Sequence, residues 1–263
     1  MPAPTFRSRV WKDTPKNLAA SGIHSDAEAQ KLGFRGGFVP GAAIYEHFAA
    51  ELLNQGVNWL EGGRADYQFR RPVYDGEEVQ FAINVDDRTL SVRGLDDDTV
   101  RTTGHLDLAE DAPKVPTTRA ASPLRVPLER SHIGTIMHSE KVLDVTTADA
   151  SAALTRFPRD AGGRKRVPVG RWCNAIGLVT EYFACPMTVH FGGRIWHYSP
   201  LFDGELLVSH GVITDIFERG GNSIVRLQAY LTTGDGRPIA TIEHESVYQL
   251  ARAKVAAEKA ASA

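Results

Sequence analysis

The sequence predicts an α+β fold built from two tandem copies of one unit, a helix followed by an antiparallel sheet. "PVYDGEEV" at 72–79 returns as "PLFDGELL" at 200–207, and Pro40 of "FVPG" returns as Pro168 of "RVPVG"; 200 − 72 and 168 − 40 are both 128. Asp-Gly turns between apolar runs are common in β proteins, so the argument for duplication rests on the shared offset rather than on either match. In each copy a stretch of helical periodicity is followed by stretches that alternate apolar and polar residues.

"SDAEAQKLGF" reads as a short helix "AEAQKL" with Asp26 as its N-cap, and Asp26, Ala29 and Phe34 are echoed by Asp149, Ala152 and Phe157. After Gly41, Ile44, Phe48, Leu52 and Leu53 recur at helical spacing and Gly56 is a stop signal, predicting one helix of about four turns. Strands follow at Tyr67 and Phe69, at Val79, Phe81, Ile83 and Val85, at Leu90 and Val92, and at Leu106 and Leu108, with "YDGE", "VDDR" and "GLDDD" as turns. "EDAPKVPTTRAASPLRVPLE" has no periodicity and reads as an extended linker. The order then repeats: "KVLDV" as a strand, "GRWCNAIGLVTEYFA" as a helix through Ile176, Val179 and Phe183, and four strands from "MTVHFGGRIWHYSP" to "PIATIEHESVYQL". The boundaries drawn are 1–110, a linker 111–130, 131–250, and an Ala- and Lys-rich tail 251–263.

Composition limits the function classes. The 263 residues are 42% hydrophobic and 24% charged with a net charge of −2, an ordinary globular balance that gives no overall basic field for nucleic acid. No segment approaches a transmembrane span and the N-terminus lacks the apolar run of a signal peptide. Cys173 and Cys185 have no metal-ligand spacing and fit a reducing compartment, so a cytoplasmic location is expected. His132 and His138 stand at neither a finger nor a metalloprotease spacing, and His47 reads as packed or surface-lying; no metal is expected. The Gly-Gly pairs lack the context of a phosphate loop or dinucleotide fingerprint, and no cofactor is expected. Trp59, Trp172, Trp196, Tyr198 and Phe202 read as core, with one or two lining a tunnel.

"GIHSDAEAQKLGFRGGFVPGAAIYEHF" together with the two Asp-Gly turns resembles the MaoC-like hydratase and dehydratase family of the hotdog fold. The resemblance covers most of both halves and implies a double hotdog, in which each repeat wraps an antiparallel sheet around a central helix. It implies a lyase acting on an enoyl or 3-hydroxyacyl thioester of coenzyme A or a carrier protein. In that family the loop reads approximately Gly-Asp-x-Asn-Pro-x-His, and its Asp and His hold the water that adds across the double bond. Aligned on His24, this chain has Leu18, Ala19, Ser21 and Gly22 at the Gly, Asp, Asn and Pro positions. The histidine matches and the carboxylate does not.

The resemblance implies His24 as general base or acid and the Gly41 N–H as donor to the thioester oxygen at a helix N-terminus. Asp13, Asp26 and Glu46 are the candidates to replace the missing carboxylate. Counted from Asp149, the second half has Thr147 in place of His24, and Val169 stands opposite Gly41, so a single site in a fused pair is expected. Arg70 and Arg71, or "GGRKR" at 162–166 with Arg166 and the nearby Arg171, are candidates to clamp the phosphates of the carrier. Trp172 is a candidate to line the acyl site. Two alternatives stay open, a hotdog thioesterase using Glu46 and a non-catalytic acyl-binding protein. The resemblance also leaves room for a homodimer of double hotdogs.

Overall fold

The computed structural model describes residues 5–10, 22–108, 120–143, 157–185 and 187–251. Asp13, Leu18, Ala19, Ser21, Thr147, Asp149 and Ala152 lie outside these residues, as do part of the expected linker and the tail beyond Ala251. The first half runs β1 (Thr5–Val10), α1 (Asp26–Lys31), α2 (Gly41–Asn54), β2 (Gly63–Phe69), β3 (Glu77–Asn84), β4 (Thr89–Gly94) and β5 (Val100–Leu108). The second runs β6 (Ile136–Val142), α3 (Ile176–Tyr182), β7 (Val189–His197), β8 (Leu206–Arg219), β9 (Asn222–Thr233) and β10 (Pro238–Gln249).

The strands form one sheet in the order β1-β3-β4-β5-β2-β7-β10-β9-β8-β6. From either end the same connectivity is met, with β6 to β10 standing for β1 to β5. The halves join where β2 pairs antiparallel with β7, and the register sets Asp66 opposite Arg194. Since 194 − 66 is again 128, these two are equivalent positions, and the pseudo-twofold axis passes between them. A residue on the axis of a true dimer faces itself. Here an aspartate faces an arginine, with Arg194 Nε donating to Asp66 Oδ2 at 2.8 Å.

The repeated turns have the same construction. Phe38 bridges Tyr74 as Arg166 bridges Phe202. The N–H of Tyr74 donates to Glu77 and that of Phe202 to Glu205. Arg101 anchors Glu77 at 2.6 Å, and Arg237 anchors Glu205 at 2.6 Å. Gly76 and Gly204 both take positive φ, 74° and 81°, which the glycine of an Asp-Gly turn adopts without a Cβ penalty.

Helix α2 lies at the centre, with Ile44, Tyr45, Phe48, Ala49 and Leu52 fully buried. Its Tyr45 hydroxyl accepts the indole N–H of Trp59 at 3.1 Å and hydrogen-bonds His197 Nε2 at 2.8 Å, tying the helix to a strand of the other half through a buried contact. Among the described residues no helix is long and apolar enough to cross a membrane.

Three expectations need correction. Strand β1 joins the sheet edge through β3, with Phe6 stacked on Phe81, where no strand is predicted. The second strand region starts at Ile136, ahead of "KVLDV", and ends at Val142. The second helix is broken: a 3-10 turn at Val169–Arg171 is followed by non-helical residues before α3 begins at Ile176. Gly170, Trp172, Cys173 and Asn174 stand where α2 has Ala42, Ile44, Tyr45 and Glu46, and the glycine and asparagine are the weaker helix formers of their pairs.

Candidate active site

A cleft of about 200 Å³ opens between the halves. From the first half come the loop at His24, the start of α2 at Gly41, and Phe69 to Val73 after β2. From the second come Asn174, Ile176 and the first residues of β7 up to Phe191.

His24 ends a one-turn 3-10 helix, Gly22–His24, in which Ile23 is buried and anchors the loop. Its Nδ1 lies 2.7 Å from the carbonyl oxygen of Phe38. A carbonyl only accepts, so Nδ1 carries the proton and the lone pair of the neutral ring sits on Nε2. Asp26 fixes the other side of the same loop, its Oδ1 accepting the Gly37 N–H at 2.8 Å. It is the first residue of α1 rather than the N-cap, which is Ser25, and it does not line the cleft. The carboxylate is used to hold the segment that presents the Phe38 carbonyl to His24.

Pro40 caps α2 at φ −57°, ψ 138°, and the first N–H groups with helical acceptors are those of Ala43 and Ile44, both to Pro40 O. The N–H groups of Gly41 and Ala42 stand at the open helix end, and both residues line the cleft. A Cβ on Gly41 would meet the Phe69 ring at 2.5 Å, so the glycine lets the helix start press against that ring. The neighbour that requires a glycine at this position is Phe69.

Glu46 is elsewhere. It is buried, does not line the cleft, and its Oε2 accepts the Gly170 N–H of the second half at 3.1 Å. Gly170 has no room for a side chain, because a Cβ would meet that oxygen at 2.5 Å. The residue equivalent to Glu46 is Asn174, and Asn174 does line the cleft.

Arg70 and Arg71 are exposed and line the cleft. Arg166, Arg171 and Trp172 do not. Arg166 donates to the carbonyls of Pro158 and Arg159, and Arg164 pairs with Asp160, so "GGRKR" largely serves its own loop. Arg171 and Trp172 instead border a smaller cavity of about 80 Å³ beside α3. His47 is buried against Phe81.

Sequence reasoning missed His190. Regular alternation back from the buried Ile195 and His197 sends Phe191 inward and His190 outward. Opposite β10, however, Gly192 faces Glu245 while His190 faces Ser246, so Phe191 is an extra residue and the sides exchange. His190 therefore lies against Phe69 at 4.9 Å and Tyr67 at 5.8 Å, stacks on His244 at 3.9 Å, and lines the cleft. Burial lowers its pKa to about 3, opposed only weakly by the Gly192 backbone, so the ring is neutral in the physiological range. The signal was "GG" at 192–193, since paired glycines inside a strand mark a bulge or close backbone approach. A Cβ on Gly193 would meet the Glu243 carbonyl oxygen at 2.3 Å.

No family model matches the sequence, and no curated protein matches it. Solved structures match along most of the chain. An isomerase-inactive variant of GphF DH1 is similar with a TM-score of 0.57 at 12% identity, over 92% of this chain and 91% of that one. Rv0216 of Mycobacterium tuberculosis, described as a double hotdog protein, gives 0.56 at 12% identity over 94% and 96%. The dehydratase domain from the CurJ module of curacin polyketide synthase gives 0.54 at 14% identity over 92% and 91%. Likeness at this identity concerns the fold, and the fold of this chain is a double hotdog.

Proposed function

We propose that the protein is a lyase of the hydratase or dehydratase type, acting on a short enoyl or 3-hydroxyacyl thioester of coenzyme A or a carrier protein. The observation that carries the reading is that His24, with its lone pair on Nε2, and the open N-terminus of α2 at Gly41 line one cleft. In hydration His24 takes a proton from water as the oxygen bonds to C3, and the negative charge moves to the thioester oxygen. The helix N-terminus stabilises that charge before His24 returns the proton to C2. Elimination runs the same steps backwards. Arg70 and Arg71 at the cleft supply positive charge for the phosphates of the carrier.

The fold likeness to a polyketide synthase dehydratase domain agrees with this chemistry. The thioesterase alternative lacks its carboxylate at this cleft, since Glu46 is committed to Gly170. The test is turnover of crotonyl-CoA by the wild type and His24→Ala, followed by loss of the enoyl absorbance. Hydration by the wild type and its loss in the variant are expected; turnover that survives His24→Ala sinks the assignment.

A further inference from the structure

Among the described residues, five of the buried side-chain polar atoms without a hydrogen-bond partner fall together, while others, such as Nε of Arg166 and Nδ1 of His197, lie elsewhere. These are Nδ1 and Nε2 of His190, which have no partner of good geometry although the Gly192 backbone lies beside the ring, Nδ1 of His244, and the Tyr67 and Thr102 hydroxyls. Thr102 pairs with Phe69 in register, Tyr67 and His190 touch its ring, and His244 stacks behind His190. Thr102 and His190 line the cleft directly. A buried polar group left unpaired is destabilising, a cost that a polar atom of a ligand removes. His190 is firmly held, because His244 behind it is fixed by Ser246 at 2.8 Å. The bulge in β7 places the ring there.

We propose that His190, delivered from the second half, is the second imidazole of the site: as a neutral ring it hydrogen-bonds the oxygen at C3 of the substrate, the atom that arrives as water and leaves as water. This rests on the lyase reading and supplies what the loop lacks where Ala19 stands at the carboxylate position. His190 gains and loses no proton in the reaction. It orients the oxygen while His24 transfers the proton.

The experiment has two arms. His190→Phe keeps the ring stack and removes both nitrogens; kcat for crotonyl-CoA is expected to fall about 100-fold, the scale of losing one oriented hydrogen bond to the reacting oxygen. KM and thermal midpoint should be little changed, and His190→Asn should recover part of kcat. A folded His190→Phe with wild-type kcat overturns the proposal. The second arm uses the wild type labelled with 15N-histidine. Addition of 3-hydroxybutyryl-CoA should shift a His190 nitrogen resonance, and butyryl-CoA, which lacks the hydroxyl, should not. Equal responses to the two thioesters, or none, overturn it. If the wild type fails to hydrate crotonyl-CoA, the lyase reading falls, and a hydroxyl-specific shift still supports His190 as the ligand of that oxygen.

Discussion

Pro40 and Pro168 hold nearly identical backbone, φ −57° with ψ 138° and 139°, yet Gly41 follows one and Val169 the other. Across from Gly41 lies Phe69, and its equivalent is His197, which turns into the core to meet Tyr45. The first half therefore needs a glycine at its helix start, and the second tolerates valine. Likewise Glu46 is buried on the turn of the second half, while its equivalent Asn174 stands in the cleft. In a symmetric pair each of these positions would serve both purposes. In the fused chain the halves line the cleft differently: the first half contributes His24 and the helix end, the second contributes His190 and Asn174.

That division can be broken from the chemistry outward. The largest effect belongs to His24→Ala, expected to lower kcat/KM for crotonyl-CoA by about 10²–10⁴-fold; the counterpart lies at a position where the second half has Thr147, and Thr147→Ala should leave turnover unchanged.

Acid sharpens the contrast in stability. Burial holds the pKa of His190 and His197 at about 3, and that of His244 well below the ordinary value; all three are on β7 and β10 of the second half. Unfolded rings bind protons first, near pH 6.5, so the stability from keeping them neutral is complete above that pH. It is lost as the pH falls towards 3, by up to about 1.4 kcal/mol per pH unit for each ring. Thermal midpoints measured from pH 7.5 to 4 should fall steeply in the wild type and less steeply in His190→Phe.

Packing gives the next pair. Gly41→Ala forces a Cβ into the Phe69 ring and should cost about 1–3 kcal/mol in chemical denaturation, with part regained when Phe69→Ala is added. Val169→Gly at the equivalent site should show no such coupling to His197. Glu46→Ala, which strands the part-buried Gly170 N–H, should cost about 1–3 kcal/mol, whereas Glu46→Gln keeps an acceptor and should cost less. The smallest effect is at the cleft's cations: Arg70→Ala with Arg71→Ala should raise KM a few-fold, leave kcat unchanged and flatten the dependence of KM on salt.

The duplication was legible because its markers are local. A Pro at a helix start and an Asp-Gly turn each impose their own backbone, and two of them at one offset define a repeat. That His24 and Gly41 stand at one cleft was legible for the same reason, since both lie in one continuous run. What escaped depended on partners distant in sequence. The inward turn of His190 needs a register shift against Ser246, 56 residues away by the difference of their numbers. Glu46 looked available because helical spacing places it on α2 but does not reveal Gly170 across the interface. The broken second helix had the right periodicity, and periodicity does not register the weak propensity of Gly170 and Asn174.

The pair on the pseudo-axis bears on how the halves know each other. If the two were made as separate chains, a first half meeting its own copy would set Asp66 against Asp66, and a second half would set Arg194 against Arg194. Only the mixed pair meets with opposite charges. An exposed pair of this kind is worth only about 0.2–1 kcal/mol, but repulsion in both of the competing pairings adds to the preference. A single aspartate–arginine match thus acts as an address label, making the duplicated domain a stranger to itself and a partner to its sibling.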